Sequence, residues 1–327
     1  MNPKEISLAL FLTRGIPMEV WRQTGTLRRE IKYYLELAAC FRHITLISCG
    51  DRNEISFLPP DLKISVLYNK WNLSPNIYSF FAPFLHRNEI LKTDIIKTNQ
   101  LDGAWTAIIA GRLLHKPVIV RAGYIWSDFF LKEVGNGYKA RLVNQMEKWC
   151  LLNSDMIFVT TNEIKDRLLE KYNLAIDKIH IIPNFIDTNI FYPNPEIIKE
   201  KRSICYVGRL TPIKNVDLLI RAASQISDIS LKIIGKGKQE NELIKLSQHL
   251  NVNVRFLGQM NNEEIPSILH KSEIFILPSA LEGHPKALIE AMACGCTVIG
   301  ANVPGIRNVI NHEHNGYLCP PTVEGIR

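Results

Sequence analysis

Short continuous apolar runs alternate along the chain with longer stretches in which apolar positions recur every three or four residues. The runs predict strands over Ile6–Leu12, Ile44–Ser48, Ile95–Thr98, Val118–Arg121, Met156–Thr160, Ile179–Ile182, Ser203–Val207, Leu231–Ile234, Val254–Leu257, Ile274–Leu277 and Thr297–Gly300. The amphipathic stretches predict helices over Leu27–Cys40, Ala104–Leu114, Tyr138–Leu152, Glu163–Lys171, Val216–Ile226, Gln239–Leu250, Asn262–His270 and Lys286–Ala293. Strands that read as unbroken apolar segments between helices belong to parallel sheet covered on both faces, the doubly wound α/β class. So many strands exceed one ordinary sheet of this kind and point to two domains.

A chain of 327 residues accommodates two domains of ordinary size. The predicted break lies at mid-chain, with a first domain over 1–187, a linker over 188–200 and a second domain over 201–327. Phe191-Tyr192-Pro193-Asn194-Pro195 and the charged run Lys199-Glu200-Lys201-Arg202 give that stretch its linker-like composition. Two sequential α/β domains are expected to place ligands in a cleft at their strand C-terminal edges. The chain closes on Pro320-Pro321-Thr322, where Thr322 would cap a helix that has barely begun. On this reading the chain lacks its last helices.

A 46% hydrophobic and 22% charged composition is that of an ordinary globular protein. The net charge of +7 suits a phosphate-bearing ligand, an anionic membrane face or simply a solvated surface, and no Lys/Arg block marks a nucleic-acid arm. The apolar run Ile6–Leu12 is too short to span a membrane and is followed by no cleavage signal, so it reads as a first strand of a cytoplasmic protein. The seven cysteines are odd in number and mostly inside apolar runs, which fits reduced buried thiols. Cys294-Gly-Cys296 has neither the spacing nor the partners of a zinc site, and no metal ligand set is assigned.

The densest chemistry lies between Glu282 and Gly295. A strand ending near Pro278 leads through Glu282-Gly283-His284-Pro285 into a helix whose first amides belong to Lys286, Ala287 and Leu288. Amides at a helix start have no intrahelical partner, and with the macrodipole they form a site for a diphosphate. Glu282 before the helix and Glu290 within it could accept hydrogen bonds from sugar and ribose hydroxyls. The competing reading makes them an N-terminal charge and a solvated face. The apolar neighbours Leu288, Ile289 and Ala291 argue that Glu290 is buried, where an unpaired carboxylate is costly.

The spelling Glu282-x₇-Glu290 followed by Ala-Met-Ala-Cys-Gly resembles the family 4 retaining glycosyltransferases of GT-B fold, which have two Rossmann-like domains facing a cleft. Val207-Gly208-Arg209-Leu210-Thr211-Pro212-Ile213-Lys214-Asn215, Ile233-Ile234-Gly235-Lys236-Gly237, Val254-Arg255-Phe256-Leu257-Gly258, Val303-Pro304-Gly305-Ile306 and Asn315-Gly316-Tyr317-Leu318 resemble the family's other segments in the same order. The resemblance implies that Arg209 and Lys214 neutralise a leaving diphosphate, a task suited to a planar fork and a point charge without a metal ion. It implies that Glu282 holds donor-sugar hydroxyls and Glu290 the ribose. It also places the backbone near Gly235 and Gly258 against the base, the Gly283–Leu288 segment against the donor, and Gly25, in Thr24-Gly25-Thr26, near the donor phosphates. His284 would contact the donor sugar if it acts, although a lone histidine is more often structural.

Many relatives carry a histidine after the strand corresponding to Val118–Arg121. This chain has Arg121-Ala122-Gly123-Tyr124-Ile125-Trp126-Ser127-Asp128, so Arg121, Tyr124, Trp126 and Asp128 become the acceptor-side candidates, with Trp126 equally readable as core. The implied activity moves a sugar from a nucleoside-diphosphate sugar to a glycan or lipid-linked acceptor, with the donor as substrate and no cofactor. Trp71, Tyr78, Phe80, Phe81 and Phe84 read first as core, and otherwise as a surface for a membrane-linked acceptor at the inner membrane face. A nicotinamide-dependent oxidoreductase is the first alternative, weakened because Glu240 stands where Gly-x-Gly-x-x-Gly requires its third glycine. A non-catalytic glycan-binding α/β module is the second.

Overall fold

The computed structural model describes residues 2–60 and 62–327. Its strands are β1 (Ser7–Phe11), β2 (His43–Ile47), β3 (Ile64–Leu67), β4 (Ile95–Thr98), β5 (Val118–Ala122), β6 (Met156–Val159), β7 (Ile179–Ile181), β8 (Glu200–Val207), β9 (Ser230–Ile234), β10 (Val254–Gly258), β11 (Ser272–Leu277), β12 (Thr297–Ala301) and β13 (Tyr317–Cys319). The helices of the first half are α1 (Met18–Gln23), α2 (Leu27–Cys40), α3 (Pro75–Leu85), α4 (Arg87–Leu91), α5 (Ala104–Leu114), α6 (Trp126–Val134), α7 (Tyr138–Leu152) and α8 (Asn162–Tyr172). Those of the second are α9 (Val216–Ala223), α10 (Glu240–His249), α11 (Ile265–Leu269), α12 (Lys286–Ala293) and α13 (Val323–Ile326).

The chain divides into two compact units, one ending at Ile182 and one running from Pro183 to Arg327. The first holds a seven-stranded parallel sheet in the order β3-β2-β1-β4-β5-β6-β7. The second holds a six-stranded parallel sheet in the order β10-β9-β8-β11-β12-β13. Each sheet therefore reverses its strand order once, between β1 and β4 and between β8 and β11. At such a switch point neighbouring loops diverge to opposite faces and leave a crevice beyond the strand ends.

Apolar side chains on both faces of the first sheet form two cores, one under α3, α5, α7 and α8 and one under α1 and α2. A single large cluster, with Tyr206, Phe275 and Phe191 fully buried, serves the second unit. Phe191 lies in the segment read from sequence as a linker. The structure packs that segment into the second unit, because Phe191 enters its core and the carbonyl of Tyr192 accepts a hydrogen bond from His270 Nε2 at 2.7 Å. At the other end of this unit Thr322 Oγ1 accepts from Gly325 N at 3.1 Å and caps α13, as its position in the sequence predicts. All seven cysteines are free, and five of them are buried.

α3 is absent from the sequence prediction because Pro83 interrupts it. A proline inside a helix removes the donor that would bond the carbonyl four residues back. Here the Thr106 hydroxyl supplies that donor to Ser79 O at 2.6 Å, so the helix continues through the proline. The aromatic segment read as core is split by this helix. Tyr78 and Ala82 are buried, whereas Phe80, Phe81 and Phe84 face outward.

Candidate active site

The second unit's switch point brings together the Gly208–Asn215 segment and the Glu282 loop, two motifs far apart in the sequence. The loop after β8 passes through a 3₁₀ turn, Pro212–Lys214, and reverses at Asn215, whose φ of +50° is in the left-handed region that asparagine tolerates. Asn215 Nδ2 donates to Pro278 O at 3.1 Å, and Ala280 N donates to Ile213 O at 2.8 Å. The β8 loop is thereby stitched to the loop leaving β11. Across this seam Lys214 Nζ donates to Glu282 Oε1 at 2.5 Å, with only 13% and 10% of the two side chains exposed. Few water molecules share this ion pair, so it is stronger and more position-specific than a surface pair.

Glycines make the rest of the seam possible. A Cβ on Gly235 would lie 2.0 Å from Gly208 O, and Gly235 itself has a φ of +130° that few L residues adopt. Gly235 N donates to Gly258 O at 2.8 Å, and Leu210 N to Lys236 O at 3.0 Å, so the loops after β8, β9 and β10 rest on one another. Gly235-Lys236-Gly237 is thus explained by loop-on-loop packing. On the other side, a Cβ on Gly305 would meet the carbonyls of Glu282 and Gly283, each at 2.5 Å.

α12 begins at Lys286 after Pro285, and its first intrahelical bond runs from Ile289 N to Pro285 O. The amides of Ala287 and Leu288 therefore point past the helix start, where the macrodipole favours negative charge. Glu290 is 1% exposed, as its apolar neighbours predict, and accepts from the buried Asn262 Nδ2 at 3.2 Å. His284 is pinned rather than loose: its Nδ1 accepts from Asn184 N at 3.2 Å and its carbonyl from Asn184 Nδ2 at 2.6 Å. Arg209 is exposed on the β8 loop, where its carbonyl accepts from Tyr206 OH at 3.1 Å. Burial, with the Glu282 charge adding to it, pushes the Tyr206 phenol far above its ordinary range. Tyr206 is therefore a neutral hydroxyl that fixes the loop.

In the first unit Gly25, at φ +64°, ends α1 and opens the turn into α2. Arg121 is half-buried at the end of β5, and its backbone N–H donates to Thr98 Oγ1 at 3.0 Å. Tyr124 packs against Phe129 with ring centroids 4.6 Å apart. The other two acceptor-side candidates are committed elsewhere. Trp126 is 8% exposed and lies against Trp105 in the core. Asp128 is ion-paired with Lys171 at 2.9 Å and with Arg167, both on α8. A tryptophan and an acid in the first turn of a helix satisfy either reading in sequence, and their α5 and α8 neighbours decide for structure.

Four features escape the sequence reading. Asn262 orients Glu290 from α11's approach loop, with no signal in its own segment. Ser279, fully buried on the β11 loop, has a hydroxyl without a partner among the described residues. Glu147, also fully buried, accepts from Trp126 N at 2.7 Å, from Ser127 N at 3.3 Å, from the Ser127 hydroxyl and from Tyr172 OH at 2.6 Å. It caps α6 and fixes the turn that follows Arg121. Lys97, buried in β4, donates to Thr98 O at 3.1 Å, and burial reinforced by the Arg121 charge lowers its pKa to about 7. A lysine inside an apolar strand is the sequence signal for this last group.

Two parallel sheets of Rossmann type, in sequence order on one chain, define the GT-B class of fold. Residues 36–190 match the family model described as Glycosyltransferase Family 4, and residues 189–326 match that described as Glycosyl transferases group 1. An uncharacterized glycosyltransferase of Haemophilus influenzae is 27% identical over 314 residues, covering 92% of this chain and 84% of that protein. The UDP-Gal:α-D-GlcNAc-diphosphoundecaprenol α-1,3-galactosyltransferase of Escherichia coli is 29% identical over 285 residues, covering 75% of this chain and 72% of that one. Among solved structures, Anabaena HepE in complex with UDP and glucose superposes with a TM-score of 0.75 at 18% identity, over 98% of this chain and 88% of that one. The chain belongs to the family 4 glycosyltransferases.

Proposed function

We propose that this glycosyltransferase moves a sugar, with retention of anomeric configuration, from a uridine diphosphate sugar to a glycan or lipid-linked acceptor. The observation that carries the donor half is the Lys214–Glu282 pair at the switch point between β8 and β11, beside the start of α12. One relative with a UDP-galactose activity and a fold neighbour bound to UDP support the choice of nucleotide.

On this reading the diphosphate lies against the first amides of α12, with Lys214 and Arg209 as the cations in place of a divalent ion. As the bond from the anomeric carbon to the diphosphate breaks, charge grows on the phosphate oxygens, and fixed cations favour that state over the ground state. Glu282, held by Lys214, is better suited to accept hydrogen bonds from sugar hydroxyls than to attack carbon, since the ion pair lowers its nucleophilicity. The acceptor oxygen then bonds to the anomeric carbon from the face the diphosphate leaves, and its proton passes to a departing phosphate oxygen. Glu290, oriented by Asn262, accepts from the ribose. Gly258 permits close backbone approach to the donor in the second unit, where Gly235 is taken up by packing on Gly208, and Gly25 and Arg121 are the first unit's candidates for the donor phosphates and the acceptor.

The test is single replacement of Glu282 and Glu290 by Gln, with donor binding and transfer measured separately. Loss of transfer with donor binding retained in Glu282→Gln, and weakened donor binding in Glu290→Gln, supports the roles. Normal transfer by both variants overturns them.

A further inference from the structure

The two sheets share one strand order around their switch points: the first strand of each unit lies between the second and the fourth. In the second unit the Lys214–Glu282 pair crosses that point. The first unit has a counterpart in the same topological place. Arg14, on the loop after β1, meets Asp102, on the loop between β4 and α5. Arg14 Nε donates to Asp102 Oδ1 at 2.9 Å and Nη2 to Asp102 Oδ2 at 3.3 Å. Arg14 Nη1 donates to Asn76 Oδ1 at 2.5 Å, from the first turn of α3. The backbones are joined as well, since Arg14 N donates to Asp102 O at 3.2 Å. Gly103 permits this approach, because a Cβ there would lie 2.8 Å from Arg14 Cβ.

The two pairs differ in what they offer a ligand. The Arg14 and Asp102 side chains remain 30% and 20% exposed, against 13% and 10% for Lys214 and Glu282, and Asn76 is exposed. A guanidinium carries five N–H groups, and this network engages three of them. Two N–H groups, the Asn76 amide donors and further lone pairs of Asp102 are left for a bound molecule. The Trp105 ring, 5.3 Å from Arg14 Cζ, helps to fix the guanidinium. A small cavity beside it is lined in part by Arg14, Thr13, Ser79 and Thr106. The charges of Arg14 and Asp102 cancel, so the place selects neither an anion nor a cation. Fixed donors and acceptors set side by side match hydroxyl groups, which both donate and accept. Ligands of α/β sheets bind at such switch points.

We propose that Arg14, Asp102 and Asn76, at the switch point of the first sheet, bind a neutral sugar ring of the acceptor through its adjacent hydroxyls. Asp102 accepts from the hydroxyls, and Arg14 and the Asn76 amide donate to them. This inference rests on the transfer reaction proposed above for naming the sugar an acceptor, whereas the binding itself is independent of the donor.

The experiment is saturation-transfer NMR on the full chain with the methyl glycosides of glucose, galactose, mannose and N-acetylglucosamine as probes. At least one glycoside should receive saturation from the parent chain. Asp102→Asn and Arg14→Lys should lower that transfer on the order of tenfold. Arg14→Lys keeps an ion pair across the loops and loses the planar fork, so a merely structural pair would leave the signal intact. Thermal unfolding checks the fold of each variant, and Asn76→Ala, at an exposed side chain, serves if the other two unfold. Glu282→Gln, in the second unit, should leave the signal in place. No saturation of any glycoside, or equal saturation by parent and folded variants, overturns the proposal. So does a signal lost in Glu282→Gln but kept in Asp102→Asn, which assigns the sugar to the donor site. Displacement of the glycoside by inorganic phosphate also overturns it, because the ligand is then an anion. The midpoint shift with uridine diphosphate is read separately on the same preparations. A flat shift beside an Asp102-dependent glycoside signal counts against the donor reading and supports the sugar site.

Discussion

Lys214 and Glu282, 68 residues apart in sequence, meet at 2.5 Å across the switch point of the second sheet, both largely out of solvent. Removing one partner strands the other charge in a poorly hydrated place. Lys214→Met alone should therefore destabilise the chain by about 2 kcal/mol, and Lys214→Met/Glu282→Gln should recover most of that loss. Activity should behave differently, falling by on the order of 100-fold or more in the single Lys214 variant and staying low in the double one. Urea titration and initial-rate transfer assays on the same preparations separate the two effects.

Gly305 tests how tightly the Glu282 loop is placed. Its φ of +83° and the carbonyls of Glu282 and Gly283 leave no room for a side chain. Gly305→Ala should cost roughly 2 kcal/mol or more and should shift the Glu282 carboxylate away from Lys214. Reduced transfer with a lowered thermal midpoint is the expected outcome. An unchanged rate would show that the loop does not need this geometry.

Glu147 is the hidden support of the first unit. Four donors converge on its carboxylate, and burial raises its pKa despite them. Glu147→Ala takes the acceptor from the Trp126 and Ser127 amides at the start of α6, while Tyr172 OH keeps Asn144 Oδ1 at 2.8 Å, and should destabilise by about 2 kcal/mol or more in denaturant titration.

Lys97 gives a pH signature. Its folded pKa is about 7, below its unfolded value, so between pH 7 and about 10 the unfolded chain holds the extra proton. Stability should accordingly rise with pH through that window, by roughly 2 kcal/mol between pH 7 and 9 from this group alone. In Lys97→Met this part of the rise should vanish, and stability near pH 7 should increase. Denaturation midpoints at several pH values measure both.

Much of this was legible from the order of residues, and the failures have physical causes. Interior strands such as β1, β4 and β11 are apolar on both faces, so their runs stand out. β3 and β13 are missing from the sequence reading, although β7 and β10, which close the opposite edges of the same sheets, are in it. α3 was hidden by Pro83, whose penalty is relieved by Thr106, a residue on another helix. In the candidate site, Glu282, Glu290 and Lys214 each lie in a compact local spelling, which is why the sequence singles them out. Asn262 and Glu147 act at positions far from the groups they hold, and local patterns carry no trace of such partnerships. Trp126 and Asp128 show the converse: chemistry-bearing residues in an informative segment that tertiary neighbours turn to structural use.

The most direct measurement of the donor assignment is thermal unfolding of the full chain against increasing uridine diphosphate, with NAD as the control ligand. A nucleotide that binds the native second unit raises the midpoint in proportion to the logarithm of its concentration above Kd. The expected result is a midpoint that keeps rising with the logarithm of uridine diphosphate concentration, an effect lost or strongly weakened in Lys214→Met and Glu290→Gln and absent with NAD. A flat response to uridine diphosphate in the folded parent chain, or an equal rise in both variants, would contradict the placement of the donor beside Lys214, Glu282 and the start of α12.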